Sequence, residues 1–475
     1  MPQVGSLQEL VDLIVDNLDE DRKALKTCSL VSSGWLSRCR RYLFDELVVN
    51  IPYRNRKRRY WINGEKVEFN TMTKFNGLLE ILNNPLCTFH SSITQITLQG
   101  SRNPNGRAMT STQKNWLTHI LRPKYLSNWR NVTALKFEDF DISFEFEHRN
   151  GTTWESFLSD ATDPIFIEFR QRINRLSFLY ISTGDAIAMF DVLNIVSRFP
   201  GLQELHLGPY NPHEEPEIED SDSADISNYF DLEKLLRIPG PSSTNLTVLD
   251  ITTEVGLWSI FPSTIVWKWA IHHKLIVNQL RVQVDMMTTA DFPSFAEYLY
   301  LLGASLKDLD LSITFHGDFE DVDSHERRLT KRKSRDLLGT FVEPQRCILD
   351  RSIGLETLRL ESIFCYDIRN KCPMSLVSPS ILFSNLTGQS LAHVEIIIQT
   401  DAPESEEHID CDAENKDWSN ADRILTSFPV LKSVLVSVYV GEEHEAEGIK
   451  ESDVVDCFKR LLAQSLEKGL LKFGQ

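Results

Sequence analysis

"SFAEYLYLLGASLKDLDL", residues 294–311, holds the unit from which most of this chain is built. A stretch of helix-like amphipathic spacing runs into a turn. Then Leu306, Leu309 and Leu311 take positions one, four and six of the pattern apolar-x-x-apolar-x-apolar. The pattern returns as ITQITL (93–98), VTALKF (132–137), INRLSF (173–178), LQELHL (202–207) and LTVLDI (246–251). Further copies are VNQLRV (277–282), LETLRL (355–360), LAHVEI (391–396) and LKSVLV (431–436), so ten copies start 29 to 49 residues apart.

Chance alone produces such a three-position match in about 7% of windows at this hydrophobic content, so context must carry the reading. FNGLLEILNNPL precedes ITQITL, MFDVLNIVSRFPG precedes LQELHL and ADRILTSFP precedes LKSVLV. A helix followed by a short strand, at a period of roughly 20–50 residues, is the sequence form of a leucine-rich-repeat solenoid. Each unit leaves an apolar face open, and stacking buries it against the next. The Asn or Cys expected three residues after the third apolar position is absent from every copy. The expected fold is α/β, a curved leucine-rich-repeat-like solenoid with parallel strands over residues 75–440. Residues 441–475 are expected to be an acidic loop followed by one amphipathic capping helix, ESDVVDCFKRLLAQSLEKGLLKF (451–473).

Polar insertions separate the units. EEPEIEDSDSAD (214–225), APESEEHIDCDAENKD (402–417) and GEEHEAEG (441–448) are acidic, and SHERRLTKRKSR (324–335) is basic. They read as solvated loops. The 475 residues carry a formal net charge of −18, which argues against nucleic acid or an anionic membrane as the main partner. No apolar run approaches the ~18 residues a bilayer span requires, and MPQVGSLQEL lacks a secretory pattern. Eight cysteines form no Cys-x-x-Cys pair. They read as free thiols in a reducing compartment, cytosolic or nuclear. The Asn-x-Thr sequons at Asn131, Asn150, Asn245 and Asn385 read as chance.

Catalysis finds no positive signal. The chain lacks a phosphate-binding Gly-x-x-x-x-Gly-Lys-Ser/Thr loop, a Gly-x-Ser-x-Gly elbow and a His-Glu-x-x-His pair. His272 and His273 are adjacent and therefore diverge, and Cys365 and Cys372 have no histidine companions at zinc spacing. No cofactor, metal or catalytic residue is expected. RNRKRR (54–59) is the strongest basic run. It reads as part of a solvated linker over 50–74, with nuclear import or phosphate contact as the other readings.

The first 49 residues differ in kind. SLQELVDLIVDNL (6–18) sets Leu7, Leu10, Val11, Ile14 and Leu18 at helical steps. Asp19 or Asp21 can cap a second helix through Leu25 and Cys28 to about Val31. Ser32 or Ser33 can cap a third that carries Trp35, Leu36, Cys39, Tyr42 and Leu43. Residues 4–49 hold 22 apolar side chains, more than so small a unit hides by itself. Such a piece either docks on its neighbouring domain or offers apolar surface to another protein. These residues alone leave both choices open.

The stretch SLQELVDLIVDNLDEDRKALKTCSLVSSGWLSRCRRYLFDEL resembles the F-box motif in the form found in mushroom-forming fungi. The likeness runs in order through Glu9, Leu10, Ile14, Leu18, Asp21, Arg22, Leu25, Cys28, Ser29, Leu30, Val31, Trp35, Arg40, Leu43 and Phe44. Ser6-Leu7 stands where the family opens on Leu-Pro. The repeats look like the irregular leucine-rich repeats that often follow an F-box. The resemblance implies a three-helix domain over 1–49 that docks on the Skp-type adaptor of a cullin–RING ubiquitin ligase. Leu7, Leu10, Ile14, Leu18, Leu25, Val31 and Trp35 would make that contact, with intramolecular core as the competing role of each. The repeats would then select an unknown protein target through the strand face or its edge loops. A repeat scaffold uncoupled from ubiquitin transfer is the alternative, and no constellation supports an enzyme.

Overall fold

All ten repeats supply a strand, and each strand starts two residues after the first apolar position. The computed structural model describes residues 7–18, 21–51, 58–62, 65–69, 77, 80–82, 84, 87, 90–100, 126, 129–139, 163–182, 186–210, 232–241, 245–252, 263–284, 291–313, 348–375, 377–386, 388–401, 410–440 and 450–474. The three apolar positions of every copy are buried. Burying each such side chain contributes about 1.5–3 kcal/mol, which makes the repeated triplet the main source of the core.

The chain divides into two units, residues 1–245 with 257–259, and residues 246–256 with 260–475. In the first unit the helices are α1 (Leu7–Asp16), α2 (Arg22–Cys28), α3 (Ser33–Leu43), α4 (Pro164–Arg172), α5 (Ala186–Val196) and α6 (Leu232–Arg237). Its strands are β1 (Glu46–Ile51), β2 (Arg58–Ile62), β3 (Glu65–Phe69), β4 (Gln95–Gly100), β5 (Ala134–Glu138), β6 (Arg175–Ser182) and β7 (Glu204–Tyr210). They form a parallel sheet in the order β1-β4-β5-β6-β7, beside an antiparallel β2–β3 hairpin.

The second unit has helices α7 (Ser263–His272), α8 (Asp291–Leu302), α9 (Pro379–Ser384), α10 (Cys411–Leu425), α11 (Glu451–Leu461) and α12 (Ala463–Glu467). Its strands are β8 (Val248–Thr252), β9 (Gln279–Val284), β10 (Asp308–Ile313), β11 (Thr357–Asp367), β12 (Cys372–Ser375), β13 (His393–Asp401), β14 (Ser433–Tyr439) and β15 (Leu471–Phe473). They run parallel in the order β8-β9-β10-β11-β13-β14-β15, with β12 antiparallel on β11. Parallel neighbours need a crossover between them, and described helices lie in it between β5 and β6, β6 and β7, β8 and β9, β9 and β10, β11 and β13, and β13 and β14.

The repeats lock together at position two. There, one carbonyl accepts hydrogen bonds from two successive N–H groups of the next repeat, at Thr94, Thr133 and Asn174 and again at Thr247, Asn278, Lys307, Glu356 and Ala392. Gly201 and Gly354 stand immediately before the first apolar position of their repeats. A Cβ on Gly201 would fall onto the Gln171 carbonyl oxygen, and one on Gly354 onto that of Ala304. Both carbonyls lie two residues before the first apolar position of the preceding repeat. The two units thus use glycine at the same point for the same close approach.

Several expectations change. The boundary expected at residue 49 falls inside β1, which pairs with β4. FDELVV (44–49) is an eleventh copy of the pattern, with Leu47 opposite Ile96 and Val49 opposite Leu98. A twelfth strand, β15, has Leu471 and Phe473 opposite Val434 and Val436, but Lys468 where the first apolar residue would stand. The expected 50–74 linker contains the β2–β3 hairpin. Arg58 and Arg59 lie in β2, and the rest of RNRKRR lies outside the described residues. Residues 411–417, read as loop, belong to α10 because Asp410 caps them, its side chain accepting from the Ala413 N–H at 3.1 Å. The single capping helix breaks at Leu462 (φ −105°, ψ 40°) into α11 and α12, and its end becomes β15. The other acidic insertions and the basic 324–335 stretch lie outside the described residues.

The reading of all cysteines as free thiols is also corrected: Cys372 and Cys411 form a disulfide that ties β12 to the start of α10. Spacing gave no hint of it, because 39 residues separate the two in sequence and only the fold brings them to a Cα–Cα distance of 5.8 Å. Among the described residues no helix is long and apolar enough to cross a membrane.

Candidate functional site

The first three helices close a small core of their own. Asp21 caps α2, its Oδ1 accepting from the N–H groups of Lys23 and Ala24 at 3.0 and 2.9 Å. Ser32 precedes α3 without a side-chain cap bond. Val11, Val15, Leu25 and Cys39 are buried together, and Leu18, Cys28, Trp35, Tyr42 and Leu43 pack around them. Asp16, at the end of α1, receives Arg38 Nε at 2.6 Å, Arg38 Nη2 at 2.5 Å and Tyr42 OH at 2.8 Å. The Arg38 and Tyr42 hydrogen bonds hold the Asp16 carboxyl below the usual carboxylate range. This fork ties α1 to α3 across a sequence distance of 22 residues.

The seven residues expected at an adaptor surface separate into groups. Leu25 is fully buried, so its place is the intramolecular core. Leu18 and Trp35 are half-buried against that core. Ile14 is 40% exposed and Val31 63%. Leu7 and Leu10 lie in α1, and their side chains are outside the described residues.

Sequence reading missed Leu13, 61% exposed, and gave Leu30, 86% exposed, a place in the motif likeness but not in the contact set. The signal was one of phase. The buried stripe of α1 runs through Val11, Val15 and Leu18, at steps of four and three, which rotates Leu13 and Ile14 away from it. Leu30 and Val31 sit in the turn after α2, where their N–H groups bond back to Thr27 O and Cys28 O and leave both side chains in water. The result is two exposed apolar pairs, Leu13–Ile14 and Leu30–Val31, on a segment whose core is already filled.

The second feature is electrostatic. Residues at positions three, five and seven, counted from the first apolar residue of each repeat, face away from the apolar triplet. In the second unit position five reads Asp250, Arg281, Asp310, Arg359 and Glu395 across adjacent strands. Arg281 spans its neighbours, Nη1 to Asp250 Oδ2 at 3.3 Å and Nε to Asp310 Oδ2 at 3.0 Å. Arg359 reaches Asp310 at 3.5 Å, Glu361 at 3.6 Å and Glu395 at 3.8 Å. Burial pushes the Asp310 carboxyl up against the opposing pull of both arginines, and it does the same to Glu361 against Arg359. Pattern reading overlooked this row because only registered strands assemble it.

No family model matches the chain. No curated protein matches it. Among solved structures, it is similar to a crystal structure of a Bacteroides fragilis protein determined by the Northeast Structural Genomics Consortium. The TM-score is 0.26 at 12% identity, over 79% of this chain and 68% of that one. A likeness that remote carries no argument about function. The candidate surfaces therefore rest on this chain's own residues.

Proposed function

We propose that this chain is a target-recognition subunit of an SCF-type cullin–RING ubiquitin ligase. Its first three helices act as an F-box that docks on the Skp-type adaptor, and its repeats, as a curved leucine-rich-repeat-like solenoid, hold a protein target. One observation carries the reading: Leu13, Ile14, Leu30 and Val31 stand in solvent although Val11, Val15, Leu25 and Cys39 already fill the core beneath them. Apolar side chains left over from a closed core gain most from a second protein that covers them. The resemblance of this segment's residue order to the F-box motif is what supports a Skp-type adaptor as that protein.

On this reading the chain transfers no group itself. It holds a target beside the enzyme that carries ubiquitin, and the gain is one of effective concentration. The test is reconstitution from purified chain, Skp-type adaptor and cullin. A stable ternary complex is the expected result. Failure to capture the adaptor overturns the reading, and capture of adaptor without cullin favours a scaffold uncoupled from ubiquitin transfer.

A further inference from the structure

The strand face of the second unit is unevenly charged. Over strands β8 to β13, positions three, five and seven carry five carboxylates, Asp250, Asp308, Asp310, Glu361 and Glu395. Among the described residues at these positions the cations are Arg281 and Arg359, which leaves the positions a net charge of −3 with His393 neutral. Both guanidiniums are already committed, each to carboxylates on two neighbouring strands. The carboxylates are not equally served: Asp310 and Glu361 remain shifted upward by burial despite their arginine neighbours. A further cation would relieve that deficit.

One neutral group of the same face also lacks a partner. Ser312 follows Asp310 on the same face of β10, opposite Glu361. It is 3% exposed, and its Oγ meets no hydrogen-bond partner. A strand-like main chain laid across the rungs brings carbonyl acceptors for such a hydroxyl. Successive rungs lie about 4.8 Å apart. That spacing lets long basic side chains reach carboxylates on different strands.

The geometry points to the β8–β13 strand face as a docking surface for an extended, lysine- and arginine-rich segment of a protein partner, seated between Asp308, Glu361 and Glu395. It rests on the receptor reading only in making that segment the target; the binding itself does not depend on the adaptor.

The test uses the full chain and a fluorescein-labelled decalysine, with decaglutamate as counter-probe, at low ionic strength. The chain is expected to bind decalysine and not decaglutamate. Asp308→Asn, Glu361→Gln and Glu395→Gln together should weaken binding at least tenfold, with the thermal midpoint preserved. Neutralising three exposed carboxylates of α11 instead, by Glu451→Gln, Asp453→Asn and Asp456→Asn, should change it less than twofold. Arg281→Gln, which removes a cation from the row, should tighten it. Equal weakening by the two triple variants, or no decalysine binding by the parent, would overturn the assignment. Adaptor capture by the same samples reads the receptor reading separately.

Discussion

Arg38 grips Asp16 with two nitrogens, Nε at 2.6 Å and Nη2 at 2.5 Å, and Tyr42 adds a third hydrogen bond to the same carboxylate. Because the pairing favours the ionised carboxyl, its folded-state pKa lies below the unfolded one. The stabilisation is therefore present above the ordinary carboxylate pKa of about 3.9 and is lost as pH falls through the folded value. Asp16→Asn should lower the thermal midpoint at pH 7, and the gap from the parent should narrow on titration toward pH 3. A gap that does not change with pH would remove the fork from the account.

Gly201→Ala and Gly354→Ala probe the close approach shared by the two units. Each methyl would meet a backbone carbonyl, of Gln171 or Ala304, which cannot step aside as a flexible side chain can. Each change should cost about 1–3 kcal/mol in denaturant unfolding, by forced displacement of well-packed neighbours. Gly77→Ala, with open space around its Cβ position, serves as the control.

Asp422 is a buried carboxylate whose oxygens accept from Gln464 N at 2.7 Å, Ser465 N at 3.0 Å and Ser465 Oγ at 2.5 Å. It caps the start of α12, so the last turns of the chain hang on it. Asp422→Ala leaves those N–H groups without their acceptor and should cost roughly 2–4 kcal/mol. Hydrogen exchange should localise the loss to residues 463–473.

The Cys372–Cys411 disulfide closes a loop with a sequence separation of 39 residues. Chain entropy makes such a closure worth about 4 kcal/mol. Reduction, or Cys411→Ser, should lower the unfolding midpoint of the second unit, read by peptide-resolved exchange, while residues 7–43 keep their protection. Complete alkylation of both cysteines in unreduced protein would contradict the pairing.

Much of this fold was legible because one local rule, a buried triplet at positions one, four and six, repeats with little exception. The two parallel strands that escaped it are the outermost in their order, β1 and β15. There a half-exposed Phe44 and a charged Lys468 replace a buried first residue. Long-range pairing was illegible in principle. Nothing local brings Cys372 to Cys411 or lines Arg281 up between Asp250 and Asp310. At the candidate site the apolar stripe of α1 was read out of phase, which passed over Leu13. Leu25, given an adaptor contact with intramolecular core as its competing role, lies in the core, where the packing of three helices and not a single stripe decides.

The most direct measurement is titration calorimetry of the purified chain with a Skp-type adaptor, comparing the parent with Leu30→Asp plus Val31→Asp. Both residues are exposed, so the variant should keep the parent's thermal midpoint. Loss of two apolar anchors at about 1.5–3 kcal/mol each should weaken affinity a hundredfold or more. Heat of binding indistinguishable between parent and variant, or no binding by the parent, would contradict the account.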